Sequence, residues 1–197
     1  MSINIGLFGG SFNPITNSHV KLSKKILNSN INLKEIWFMP SNSNDKKFLI
    51  DSYHRINMIK IAIQNIDKLK IFDFEIINKL PCNTLNTIKL LNKTEIIKKY
   101  KFYFIIGLDV ANNLIKWKNY KELINIIDFI VIPRIGYEIK NDWFLKNNHL
   151  FLNNIIIEEL SSTLFRKLYI KNKYHKNNLE KIINKNVLKY ILNNDLY

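Results

Sequence analysis

Cysteine is almost missing from this 197-residue chain, in which Cys82 stands alone. One thiol excludes an intramolecular disulfide and a cysteine-built metal cage, and it fits a reducing compartment. Long apolar runs are missing as well. No stretch approaches the roughly 20 residues that a membrane span needs. Met1-Ser2 leads straight into a strand-like run, so no secretion signal is expected, and a cytoplasmic protein is the reading. Carboxylates are scarce: 16 Asp and Glu against 30 Lys and Arg leave a net charge of +14. Such a field draws anionic ligands. The lysines are scattered rather than gathered in an arm or stripe, which argues against a nucleic-acid-binding module. Clusters such as Lys98-Lys99-Tyr100-Lys101 are short and read as solvated helix ends. No internal repeat and no linker-like boundary is evident, so residues 1–197 are expected to form one domain.

What is present is a regular alternation. Apolar runs at Ile3–Phe8, Glu35–Pro40, Lys70–Glu75, Phe102–Ile106, Asp128–Ile132 and Asn154–Ile157 read as strands. Between them, Val20–Leu27, Ser52–Ile66 and Thr84–Ile97 carry helical periodicity, and helices are expected again from Ser162 and over Asn186–Asn193. Residues 171–186 are polar enough for a loop. The solidly apolar Phe102–Ile106 looks like a central strand covered on both faces. Strands alternating with helices predict an α/β fold, a Rossmann-like three-layer sandwich with a mostly parallel sheet and C-terminal helices.

In such a sheet ligands bind beyond the carboxyl ends of the strands. The first strand runs into Gly9-Gly10-Ser11-Phe12-Asn13-Pro14-Ile15-Thr16-Asn17-Ser18-His19, and a helix opens after it. Strand, glycine turn and helix start in that order make an anion site, since backbone can approach a phosphate and helix N–H groups point at it. His19, just inside the helix, can donate to the same phosphate. The glycine spacing fits neither the G-x-G-x-x-G dinucleotide fingerprint nor a P-loop. Gly107-Leu108-Asp109 and Pro133-Arg134 follow the central and fifth strands, at the same end of the sheet. A second string, Leu160-Ser161-Ser162-Thr163-Leu164-Phe165-Arg166, stands at a strand-to-helix junction. Its hydroxyls could simply cap the helix, or they could join helix N–H groups and Arg166 in holding a phosphate.

Gly10, Phe12, Pro14, Thr16 and His19 fall in register with the nucleotidyltransferase signature G-x-F-x-P-x-[HT]-x-G-H, Ser18 standing where most members have glycine. The second string resembles I-S-S-T-x-I-R, the C-terminal signature of the same enzymes. With both in place, the chain resembles the nicotinate/nicotinamide mononucleotide adenylyltransferases over nearly its whole length. Lys46-Lys47-x-Leu49-Ile50-x-x-Tyr53-His54-Arg55, Gly107-x-Asp109 with Trp117, Arg134-Ile135-Gly136-Tyr137 and Asn194-Asp195-Leu196-Tyr197 are similar to further segments of that family. Cys82-Asn83-Thr84-Leu85-Asn86-Thr87 corresponds to the family's S-Y-T-x-D-T, with Asn83 replacing the aromatic residue and Asn86 the acid.

The resemblance implies adenylyl transfer from ATP to a pyridine mononucleotide, with Mg²⁺ bound mainly through the ATP phosphates and no dedicated protein metal site. His19, Lys47 and Arg166 would act on the phosphates. Gly9, Gly10, Ser11, Phe12, Thr16, Gly107, Asp109, Arg134, Ser162 and Thr163 would complete the ATP side. Ser11, Lys47, Thr84, Leu108 and Trp117 would take the mononucleotide, the Trp117 ring stacking on the pyridine; a tryptophan on a helix is otherwise usually a core residue. Net positive charge favours nicotinate over nicotinamide. ATP and the mononucleotide are the expected partners, of a monomer or a homo-oligomer. A phosphopantetheine adenylyltransferase is the alternative, since it shares threonine at the Thr16 position. His54, His149 and His175 show no metal-like spacing and read as surface or structural. Arg55 reads as a fold residue, Trp37 as core and Trp143 as loop.

Overall fold

The computed structural model describes residues 2–42, 49–146, 148–155, 161–171 and 176–197. Six strands, β1 (Ile3–Gly10), β2 (Glu35–Pro40), β3 (Leu69–Ile71), β4 (Tyr100–Gly107), β5 (Asp128–Ile132) and β6 (Leu150–Phe151), form one sheet in the order β3-β2-β1-β4-β5-β6. Every neighbouring pair is parallel. Around the sheet lie α1 (Asn17–Leu27), α2 (Ser52–Ile63), α3 (Phe74–Ile77), α4 (Thr84–Leu91), α5 (Leu108–Leu114), α6 (Tyr120–Ile126), α7 (Ser162–Lys171), α8 (Lys176–Glu180) and α9 (Lys185–Asn193).

Period-two alternation in the central strands builds a core on each face. Phe102, Phe104 and Ile106 of β4, with Phe129 and Val131 of β5, turn to the face where Leu85 and Ile88 of α4, Ala111 of α5 and Leu123 of α6 pack. Ile105, Ile130 and Ile132 turn the other way, into a core shared with Met58, Phe165, Ile183 and Leu188. This is the α/β three-layer sandwich that the sequence predicts. Among the described residues no helix is long and apolar enough to cross a membrane.

Some boundaries differ from expectation. Lys70–Glu75 does not stay a strand: β3 ends at Ile71 and α3 begins at Phe74. The Phe72 and Phe74 rings stack, with centroids 5.2 Å apart, which turns the chain inward and buries Glu75. The helix from Thr84 stops at Leu91, where the Thr94 hydroxyl donates to the Leu91 carbonyl, and Glu95–Lys98 is a separate 3₁₀ turn. The last strand is Leu150–Phe151, paired in register with Ile130 and Val131; Asn154 lies in a turn after it, Ile155 is irregular and buried, and Ile156 and Ile157 of the expected Asn154–Ile157 strand fall outside the described residues. A short helix, α8, occupies part of the expected 171–186 loop and sends Leu179 into the core. Trp143 sits in a 3₁₀ turn yet is buried, its indole N–H donating to the Ala111 carbonyl. His149 is structural, as its buried ring accepts the Phe129 N–H through Nδ1. His54 bonds through Nδ1 to the Tyr190 hydroxyl of α9. His175 lies outside the described residues.

Candidate active site

Strand order reverses between β1 and β4, so the loops leaving their carboxyl ends diverge and open a crevice. An open cavity of about 770 Å³ fills that crevice. Gly9, Gly10, Ser11, Thr16 and His19 line it from the first loop; Gly107, Asp109 and Arg134 from beyond β4 and β5; Ser162, Thr163 and Arg166 from α7; Thr84 and Trp117 from the far wall. Two of the expected site residues do not line it. Phe12 is driven into the core beneath the loop, where its φ of +45° places a bulky residue in the left-handed region. Leu108 is buried in the core on the opposite face of the sheet. Lys46, Lys47 and Leu160 lie outside the described residues, although Ser41 and Leu49, on either side of residues 43–48, both line the cavity.

Thr16 caps α1, and His19 is the third residue of that helix. The Thr16 N–H donates to His19 Nδ1 at 3.0 Å. An acceptor Nδ1 puts the ring proton of the neutral imidazole on Nε2, so the side chain offers a donor to the cavity. The ring leans on Phe8 and edge-on against Phe12, centroids 5.7 and 5.3 Å away. Burial, and next the positive charge of Arg134, pull its pKa from 6.5 to about 4. Ser18 occupies the helical first turn with an ordinary negative φ, so a Cβ at this signature position needs no left-handed backbone.

The two signature strings are tied to each other. Ser162 Oγ donates to the Pro14 carbonyl at 2.7 Å, and Arg166 Nη1 donates to the Asn13 carbonyl. Arg166 Nη2 reaches Thr163 Oγ1 at 3.2 Å. Ser161 does the capping, its Oγ accepting the Leu164 N–H. The N-terminus of α7 therefore faces the loop before α1, and two sets of backbone N–H groups converge on one space.

Across the cavity, Asp109 Oδ2 accepts from Arg134 Nη1 at 2.8 Å, while Oδ1 is buried with no hydrogen-bond partner among the described residues. That oxygen is a ready acceptor for a ligand hydroxyl. A Cβ on Gly107 would come within 2.5 Å of it, so glycine is what lets the carboxylate fold back here. Trp117 is 38% exposed rather than core, and its flat face is available to a ring. Asn83 caps α4 by accepting the Asn86 N–H at 3.1 Å, and Asn86 is exposed, away from the cavity wall. Thr87 is wholly buried and donates to Glu75 Oε1 at 2.8 Å.

Glu75 is the site residue that sequence reading misses. It lines the cavity, 5% exposed, and Oε2 also accepts the Asn42 N–H. Burial raises its pKa, against the lowering effect of those two hydrogen bonds. The available signal was an acid, Glu75, set between Phe74 and Ile76-Ile77 in an otherwise apolar stretch. Cys82 lines the same wall.

A family model described as cytidylyltransferase-like matches residues 7–168. The chain belongs to the cytidylyltransferase-like family. This family member is a nucleotidyltransferase, and it is 32% identical to the nicotinate-nucleotide adenylyltransferase of Bacillus subtilis over 98% of its own length and 97% of the relative's. Among solved structures, the Plasmodium falciparum nicotinic acid mononucleotide adenylyltransferase complexed with NaAD superposes with a TM-score of 0.82 at 29% identity, covering 99% of this chain and 97% of that one. The same Plasmodium enzyme complexed with APC gives a TM-score of 0.81 at 28% identity, with the same coverage.

Proposed function

We propose that the protein transfers the adenylyl group of ATP to nicotinate mononucleotide, yielding the dinucleotide and pyrophosphate in NAD biosynthesis in the cytoplasm. The observation that carries this is the stitched pair of strings, Ser162 to Pro14 and Arg166 to Asn13, which brings two phosphate-type helix starts to one cavity. The names of the relatives, and the NaAD held by the Plasmodium enzyme, support the pyridine acceptor.

In this reaction an oxygen of the mononucleotide 5′-phosphate attacks the α-phosphorus of ATP. The bond from that phosphorus to the bridging oxygen breaks, and the electron pair leaves with pyrophosphate. No covalent protein intermediate is needed. The protein's task is to align two anions that repel each other and to neutralise the charge that builds. His19 Nε2–H donates to the α-phosphate. Arg166, Lys47 and the start of α7 grip the outer phosphates. Asp109 accepts from ribose hydroxyls, Arg134 flanks the adenosine, and the pyridine ring lies on Trp117 beside Thr84. A magnesium ion would be carried by the ATP phosphate oxygens and water rather than by a dedicated set of side chains. When bound, that ion screens the phosphate charges.

A pyrophosphate-release assay with ATP–Mg²⁺ tests the reading, with nicotinate mononucleotide, nicotinamide mononucleotide and phosphopantetheine as acceptors. Turnover is expected with the pyridine mononucleotides, the acid preferred. Turnover with phosphopantetheine alone would replace the reading. Trp117→Ala should raise the mononucleotide KM by about 10- to 30-fold, as befits the ~1–3 kcal/mol of one stacked base, while kcat stays near wild type. Initial rates at saturating ATP measure this, and an unchanged KM removes Trp117 from the pyridine site.

A further inference from the structure

We propose that Tyr197 is a positioning residue for adenylyl transfer, its hydroxyl fixing Asn13 and through it the grip of Arg166. This rests on the adenylyl-transfer reading above. Tyr197 does not line the cavity, so any effect on turnover has to pass through other groups. Its ring sits edge-on against Phe165 and Tyr169 of α7, with centroids 6.0 and 6.3 Å away. That packing aims the hydroxyl at Asn13 Oδ1, to which it donates at 2.8 Å.

Asn13 is 4% exposed and is a junction. Its Oδ1 also accepts the Ile50 N–H at 3.3 Å, close to where residues 43–48 rejoin the described chain, and its carbonyl accepts Arg166 Nη1. One residue thus ties together, by side chain and main chain, the loop before α1, the chain entering α2 and the arginine of the second string. Burial raises the Tyr197 pKa well above the ordinary phenol range, so the hydroxyl stays a donor at any working pH. Without it, Asn13 Oδ1 loses its hydroxyl donor, and the carbonyl that orients Arg166 gains freedom.

Tyr197→Phe removes the hydroxyl and keeps the ring packing. Steady-state kinetics at 25 °C should show kcat reduced about tenfold, the cost of a sub-ångström misplacement, with the mononucleotide KM unchanged. A purely structural role would lower the melting temperature and leave kcat at the wild-type value, and that result overturns the proposal. The double variant with Asn13→Ala should turn over no more slowly than Asn13→Ala alone. Multiplying defects would show that the hydroxyl does not act through Asn13. If the wild type itself is silent with every acceptor, the adenylyl-transfer reading fails first. Calorimetric titration with a magnesium complex of a non-hydrolysable ATP analogue then decides for Tyr197, with weaker binding by the variant expected and equal affinity overturning the role.

Discussion

Replacing His19 by alanine should lower kcat by about 10²–10³-fold, the cost of losing one preorganised donor to transition-state charge. The donor is preorganised in a specific sense: the Thr16 N–H occupies Nδ1, so the proton of the neutral ring stands on Nε2 before substrate arrives. A pKa of about 4 keeps the ring neutral at physiological pH. Phosphate binding will favour the imidazolium, and a strengthening bond as charge moves onto the α-phosphate is what accelerates the step. The fold should survive, because Thr16 Oγ1 still caps the helix. The same depressed pKa has a stability consequence. The unfolded chain binds a proton at His19 near pH 6.5 and the folded chain only near 4, so this contribution is complete above pH 6.5 and is lost as pH falls towards 4. Allowing for the half-buried ring, the loss is on the order of 2 kcal/mol. His19→Gln, which cannot titrate, should show a shallower decline of stability over that window in chemical denaturation. Turnover by His19→Ala within tenfold of wild type would remove His19 from the mechanism.

The elements that sequence reading recovers are those whose pattern is set by burial alone. β4 and β5 are covered on both faces, so their apolar runs are continuous, and β1 and β2 end where Gly10 and Pro40 meet in register. The misses share a cause, which is that the deciding contact is distant in sequence. Phe72-Asp73-Phe74-Glu75 alternates like a strand, but Glu75 is claimed by Thr87 and Asn42 and the chain coils to deliver it. β6 is two residues long, too short to leave a periodic trace. α8 offers only Leu179, with Ile182 and Ile183 in the turn after it, among polar neighbours. At the site, motif register identifies positions without saying which of them act by side chain. Phe12 and Leu108 stand in signature strings yet point into the two cores, and Asn83 serves as a helix cap rather than a pocket wall.

Arg55 illustrates the converse, a residue read as belonging to the fold whose removal should reach the site. It is 2% exposed, and it donates through Nε to the Ile50 carbonyl and through Nη1 to the Ser11 carbonyl, both at 2.9 Å. Burial lowers its pKa, while Asp51 and Tyr197 offset part of that, and an arginine stays charged regardless. The guanidinium therefore ties Ile50, at the entrance to α2, to Ser11 of the phosphate loop. Arg55→Met fills most of the volume but leaves two buried carbonyls without their charged donor. The expected cost is about 3–5 kcal/mol. For a chain of this size that corresponds to a melting temperature about 6–15 °C lower. Thermal unfolding followed by circular dichroism measures it, and a fall of less than about 3 °C would mean that water replaces the guanidinium at little cost. Activity separates the two consequences. Well below the melting transition, the variant should still lose ATP affinity, because the Ser11 carbonyl is free to turn the backbone N–H groups of the phosphate loop away from the ligand. A variant that is unstable yet binds ATP as wild type would confine Arg55 to the fold, with the phosphate loop held in place by β1 and by the Ser162–Pro14 and Arg166–Asn13 ties.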